Sequence, residues 1–276
     1  MRAATQGVRL TVYLLASASF VSIADEDYSE QPFYPNGASN AVSITFDDGR
    51  HSQLDIGVPI LNKHGIKATF YVSRDNVVAR LPDWQKVVAN GHEIGNHTTS
   101  HVCTGNFQWL RKQNKGLEQT SLDWLRKDIE QTNIYIEKHL KVKPRSFAYP
   151  CGNTFVGRGQ NVKSYVPMVA TLFESGRTWL DETANDPTYT DFAQLTGIRI
   201  DGMSFDEIKQ LLDLLRFRNS WVILAGHDVG KKGPYTVDSV ALAQLIIYLK
   251  QPKNGYWLDT VDNITKHIKK NRAPIK

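Results

Sequence analysis

The sequence predicts an α/β fold built on a parallel sheet, either open or closed into a barrel. From residue 41 onward, short apolar runs rich in β-branched and aromatic residues alternate with segments of helical period, as repeated β-α units require. A chain of 276 residues also suits one large domain, because single α/β barrels are typically about 250 residues long. The third observation is positional. Asp47, Asp48, His97, the Tyr149-Pro150-Cys151-Gly152 segment and His227 all stand at the C-terminal ends of apolar runs, where ligands gather in parallel α/β folds.

Taken in order, residues 1–24 resemble a secretory signal. Arg2 and Arg9 make a basic start, Leu10 to Val21 an apolar centre, and Ser22-Ile-Ala24 a small-residue cleavage site,. The apolar stretch is too short, and too rich in Ser and Ala, for stable membrane insertion,. Export to the periplasm or the medium follows; a start codon assigned too early would leave a similar stretch. Residues 25–40 are polar, punctuated by Pro and Gly, and read as a linker or edge cover,. Strands are expected at 41–47, 68–73, 92–96, 146–150, 194–200, 221–226 and 256–258,. Helices are expected at 54–64, 83–90, 121–140, 162–173, 204–218, 237–250 and 259–270,. The 121–140 helix is the clearest, with Leu122, Leu125, Ile129 and Ile136 on one face and Ser121 as its cap,. Ser204 followed by Glu207 forms a capping-box pattern,.

A hydrophobic fraction of 41% and a charged fraction of 22% are ordinary for a globular chain,. The formal charge of +5 falls to +3 if the segment carrying Arg2 and Arg9 is removed. The basic stretch Lys266 to Arg272 reads as a solvated helix end, where cations complement the dipole, and not as a nucleic-acid patch,.

Asp47 and Asp48 end the run Ala41 to Phe46 and precede Gly49. Adjacent strand residues point apart unless the chain turns, and glycine permits that turn. His97 and His101 are four apart, which in a helical turn places both imidazoles on one side,. One carboxylate and two imidazoles make a three-ligand site for a divalent metal, zinc above all, with room left for water. The second carboxylate is then free to accept a proton. Cys103 and Cys151 are too few for a disulfide scaffold,. In an exported protein they could pair, tying the metal-ligand loop to the next; two separate buried thiols are the other arrangement.

Four strings, Thr45-Phe-Asp-Asp-Gly49, His97-Thr-Thr-Ser-His101, Phe147-Ala-Tyr-Pro-Cys-Gly152 and Leu224-Ala-Gly-His227, resemble in order and spacing the motifs of the polysaccharide deacetylases. These are the NodB-homology enzymes of carbohydrate esterase family four. The resemblance covers residues 41–270 and implies a distorted barrel of seven or eight β/α units, with 41–276 as the catalytic domain. It implies Asp47 as general base, Asp48, His97 and His101 as metal ligands, and His227 as general acid. The N–H of Cys151 takes the oxyanion position, and Leu224 and Tyr149 fall in the substrate pocket. The family arginine that orients the base is replaced by Ala148, and Arg177 is the candidate to supply that cation from a neighbouring strand.

The implied function is metal-dependent removal of acetyl groups from N-acetylated glycans such as chitin oligomers or peptidoglycan. An O-acetyl esterase acting on xylan or an exopolysaccharide would use the same site, as would a hydrolase of small amides. A non-catalytic glycan-binding protein is the alternative of another class, but binding alone does not require both a base and an acid. Trp109, Trp179 and Tyr235 lie in expected loops and could stack on sugar rings,. The 102–120 loop, with Trp109, is the candidate substrate wall.

Overall fold

The computed structural model describes residues 33–272 except 114, 218 and 232. The secretory-signal reading of residues 1–24 therefore lies outside the described residues. Among the described residues, eight strands form one parallel sheet. They are Asn40–Phe46 (β1), Thr69–Val72 (β2), Glu93–Asn96 (β3), Ser146–Ala148 (β4), Ser175–Arg177 (β5), Ile198–Arg199 (β6), Trp221–Gly226 (β7) and Tyr256–Leu258 (β8). The spatial order is β5-β4-β3-β2-β1-β7-β6, with β8 pairing the start of β1. Beyond β5, Thr178 N–H donates to Leu195 O and Asp181 N–H to Gly197 O. These bonds join the β5 edge to the segment leading into β6, so the sheet curls into a distorted barrel.

Burial on both faces explains the apolar character of the strands; every residue of β1 is buried,. Val42, Ile44 and Phe46 share a core cluster with Leu61, Trp84, Leu242 and Leu245 from the covering helices. Ser43 and Thr45 alternate onto the other face, the side that Asp47 continues. Tyr149 and Phe147 anchor a second cluster with Leu125 and Ile129 of the Leu122–Leu140 helix. Ser121 caps that helix by accepting the Trp124 N–H, and the Ser204–Glu207 capping box opens helix Phe205–Leu214.

Several elements are shorter than their sequence patterns predict. The expected 54–64 helix becomes a wide turn at Gln53–Gly57 followed by a helix at Val58–Lys63. The expected 162–173 helix forms only over Val166–Leu172, after an antiparallel ribbon takes Lys163–Ser164. The expected 194–200 strand shrinks to two residues, because Phe192–Gln194 is a 3-10 turn. Of the polar stretch at 25–40, Tyr34 is buried and donates its hydroxyl to Asn219 O.

Candidate active site

At the C-terminal end of β1 the backbone turns on two consecutive residues of positive φ, Asp48 (72°) and Gly49 (74°). The turn turns Asp48 out of simple strand alternation. At Gly49 a Cβ would also meet Val72 and Trp84 at 3.2–3.3 Å, so the site needs glycine for space as well as for φ. Ser73 N–H and the Asn76 amide both donate to Asp48 O, fixing the turn against the segment after β2.

His97 and His101 do meet at Asp48, but not on a helix. The loop leaves β3 at Asn96, and Thr98 and His101 take positive φ values of 65° and 46°. Such φ values cost energy in non-glycine residues, and side chains over-determine the loop. Thr98 N–H donates to Asn96 Oδ1, and His101 N–H to Thr98 Oγ1. The buried carboxylate of Asp128, on helix Leu122–Leu140, accepts from Thr99 N–H, Ser100 N–H and Ser100 Oγ. Asp48 Oδ1 then lies 3.5 Å from His97 Nε2 and 3.3 Å from His101 Nε2. The three ligand atoms fit a metal ion, lying within 4.8 Å of one another. Two further observations support the fit. His97 Nδ1 sits 2.9 Å from Ala148 O, which leaves Nε2 as the ligating nitrogen,. Burial, and then the neighbouring His97, push the His101 imidazole down to about 4, so it is neutral and able to ligate,.

Arg50 holds the other oxygen of Asp48, its Nε donating to Oδ2 at 2.8 Å. The same guanidinium reaches Asp228 Oδ2 at 2.5 Å, and Ser52 Oγ donates to Asp228 Oδ1. Asp48 is thereby left one free oxygen toward the imidazoles. Burial raises the Asp48 carboxyl, but His97, His101 and His227 together hold it well below the usual carboxylate range.

Asp47 is buried and paired with Arg177 through Nη2 to Oδ1. Arg177 is itself 1% exposed, with its guanidinium 5.0 Å from the Tyr71 ring centroid. Gly95 makes room for that ring, since a Cβ there would lie 2.4 Å from Tyr71. Arg177 stands in β5 directly opposite Ala148 of β4. Burial favours the neutral form of Asp47, but Arg177, His97 and His227 outweigh it and keep the carboxyl below its ordinary value,.

His227 follows β7 and is locked by Asp201, which accepts from His227 N–H at 2.9 Å and faces Nδ1 at 2.6 Å. Burial lowers the imidazole, but Asp201, Asp47 and Asp48 raise it above the ordinary histidine value. Gln53 braces the pair of strands by donating to both Asp47 O and His227 O. The ring of Trp179 packs edge-on at 4.9 Å and Tyr235 at 5.8 Å from His227. Asp201, Gln53, Arg50 and Asp128 escape the sequence reading. Asp201-Gly202 at the end of an apolar run repeats the Asp48-Gly49 signal and is the one that could have been found.

Cys151 has a positive φ of 55° and is disulfide-bonded to Cys103. The bond ties the turn after β4 to the loop that carries His101. Two expected pocket residues lie elsewhere. Leu224 is fully buried in the core cluster under the helices, and it is Ala225 that pairs with Thr45 and shares the side of Asp47. Tyr149 is buried in the second cluster, its hydroxyl donating to Ala193 O, and so forms no open pocket wall. Strand alternation decides both cases.

The family model described as Polysaccharide deacetylase matches residues 35–179, more than half of the chain. A chitin deacetylase of Pestalotiopsis sp is 34% identical over 97 residues, 32% of this chain and 32% of that protein. A peptidoglycan-N-acetylglucosamine deacetylase of Bacillus cereus is 45% identical over 64 residues, 22% of each. The matched stretches thus span about a third or less of these relatives' own length. Among solved structures, a family 4 acetyl xylan esterase from Clostridium thermocellum superposes with a TM-score of 0.55 at 25% identity, covering 82% of this chain and 91% of that one. A family 4 pseudoenzyme from Bacillus anthracis shares the fold at 20% identity and a TM-score of 0.53, over 84% of this chain and 66% of that one. Since the family match runs from before β1 to beyond the strand that bears Arg177, the chain belongs to the polysaccharide deacetylase family.

Proposed function

We propose that the protein hydrolyses acetyl groups from N-acetylated glycans, chitin oligomers or peptidoglycan, with a divalent metal, zinc above all, held by Asp48, His97 and His101. The observation that carries this reading is the pair of oppositely tuned groups beside one ligand cluster. Arg177 lowers the Asp47 carboxyl and so favours its ionised form, while Asp201 raises the His227 imidazole and so favours its protonated form. An acid and a base pushed apart in pKa are what hydrolysis by general acid–base catalysis needs. Two imidazoles and a carboxylate suit zinc. When bound, such an ion polarises the acetyl carbonyl and makes water more acidic.

Asp47 accepts the proton of the attacking water, aimed by the Arg177 pair. The Cys151 N–H donates to the carbonyl oxygen as it gains charge. His227 delivers its proton to the departing sugar amine, and Asp201 keeps the donating nitrogen oriented by holding Nδ1. We assign residues 1–24 to a secretory signal and 41–276 to the catalytic domain; of the intervening polar stretch, Tyr34, Ala38 and Asn40 are buried against that domain and act as its edge cover. Export to the periplasm or medium agrees with a polymer substrate; no described helix is long and apolar enough to cross a membrane.

The test is acetate release by metal-loaded protein across chitin oligomers, peptidoglycan and acetylxylan. Release from acetylxylan alone would favour the O-acetyl esterase reading, which the Clostridium thermocellum neighbour supports. Binding without release from any of them would favour a non-catalytic protein, the state named for the Bacillus anthracis neighbour. Presence of both Asp47 and His227, each with its own buried partner, argues against that outcome.

A further inference from the structure

A cavity of about 570 Å³ opens beside the metal-ligand loop. It is lined by Thr99 and Ser100, which lie between His97 and His101 in the chain, and by Trp109 and Trp124. Both indoles are large apolar surfaces left open, 48% and 43% exposed. The lining also holds the amides of Gln113 and Gln119, and Asp75 and Lys115, which are opposite in charge. The cavity lies at the same end of the barrel as Asp47, since its walls follow the C-terminal ends of β2 and β3.

The walls are built in advance of any ligand. Leu110, next to Trp109 in the chain, is buried. Leu117 N–H donates to Cys103 O, Gly105 N–H to Glu118 Oε2, and the Cys103–Cys151 bond fixes the base of the loop. Asp128 in turn holds Thr99 and Ser100. Trp124 stands in the first turn of its helix, whose cap Ser121 also lines the cavity.

Two exposed indoles beside amide and hydroxyl side chains, with one acid and one base among them, match one chemistry. A pyranose presents an apolar C–H face and a ring of hydroxyl and amide groups, and carries no charge. Its face covers the aromatic surface while its edge pairs with donors and acceptors that amide side chains supply. The volume falls in the range of small-ligand sites, about 300–1,000 Å³. We propose that this cavity is a sugar-binding subsite, holding a unit of the N-acetylated glycan away from the one being deacetylated. The proposal rests on the deacetylase reading for the identity of its ligand and names where the chain of sugars continues.

The test compares chitopentaose with N-acetylglucosamine on the metal-loaded protein and on Trp109→Ala, Trp124→Ala and the double variant. Calorimetric titration gives affinity, and acetate release gives kcat and KM. The expected result is a KM and Kd for chitopentaose raised about tenfold per tryptophan, equivalent to about 1.4 kcal/mol each. Tm and zinc content, measured on each variant, show that it is folded and loaded. Trp109→Phe, which keeps a ring, should recover part of the affinity. An unchanged Kd and KM in a folded double variant would overturn the subsite while leaving the deacetylase reading intact. Equal affinity of the intact protein for monosaccharide and pentamer, or no binding of the pentamer, would also overturn it. Tryptophan-dependent pentamer binding without acetate release would support the subsite and remove the deacetylase reading instead.

Discussion

Replacing Arg177 by alanine tests the central electrostatic claim. In the intact protein the Arg177 guanidinium and the Asp47 carboxylate are both buried, and the pair stands between burial, which raises the carboxyl, and cations, which lower it. Loss of the guanidinium leaves burial opposed only by His97 and His227. A nearby opposite charge favours the ionised carboxyl, so the Asp47 pKa should rise when the guanidinium is removed. The sign follows from the role of the group. A base works when ionised, so activity rises with pH through its pKa, and a raised pKa moves the acidic limb of the kcat/KM profile to higher pH. Below the new pKa each unit of pH should cost about tenfold in rate.

The same pair makes a stability prediction. A carboxyl held below its unfolded value contributes stability above the unfolded pKa of about 3.9, and that contribution is lost as pH falls through the folded value. Breaking a buried ion pair from one side costs about 3–5 kcal/mol. For a domain of this size that is a fall in Tm of roughly 6–20 °C. Arg177→Lys should lie between, because lysine keeps the charge without the planar fork. Metal content measured alongside should stay unchanged. A kcat/KM profile and Tm matching the unaltered protein would refute the argument and return Arg177 to an ordinary packed side chain.

The remaining predictions concern the other parts of the site. Asp47→Asn should retain metal but lose about 10²–10⁴-fold in kcat; a near-normal rate would end the base assignment. The His97→Ala, His101→Ala double variant should bind no stoichiometric zinc by elemental analysis, and full retention would remove the ligand assignment. Asp201→Asn should move the basic limb of the profile to lower pH, because the acid works protonated and Asp201 raises the His227 pKa; an unmoved limb would sink that role. Cys103→Ser should lower stability by up to about 4 kcal/mol, from the entropy of opening a loop with a sequence separation of 48,. Two titratable thiols in the non-reduced, denatured protein would show that the bridge does not form.

Much of this architecture is legible in the chain, and the failures have physical causes. β1, β2, β7 and the Leu122–Leu140 helix fall near their expected places, because each has a full period of apolar side chains,. β5 is three residues, Ser-Gly-Arg, with no apolar run to mark it, and β6 keeps only two residues of a longer pattern. The four-residue spacing of His97 and His101 is equally at home in a helix and in a loop of alternating hand; Thr98 and His101 at positive φ decide it. Leu224 and Tyr149 were placed by motif position, and strand alternation turns both into the core. Asp128 and Gln53 bind backbone far from them in sequence, 28–29 and 174 residues away at the longest, and no local pattern carries such information.

Arg177 shows why a motif can lose a residue without losing its charge. Neighbouring strands lie about 4.8 Å apart, and paired residues of a parallel sheet project to the same side. Arg177 is paired with Ala148, so moving the arginine from β4 to β5 shifts its Cα by one strand spacing. A side chain of arginine's length absorbs that shift, provided nothing fills the space between. Here Ala148 leaves that space free of a long side chain, and Tyr71, seated against Gly95, supports the guanidinium from beneath. In the proposed mechanism Asp47 needs a cation at one point in space, and two positions in the sheet can supply it. The pH profile of Arg177→Ala measures that requirement directly. Restoring the charge from the original strand, with Ala148→Arg in the Arg177→Ala background, should return the acidic limb toward lower pH. A limb that stays displaced would mean that the approach from β5, and not the charge alone, sets the orientation of the base.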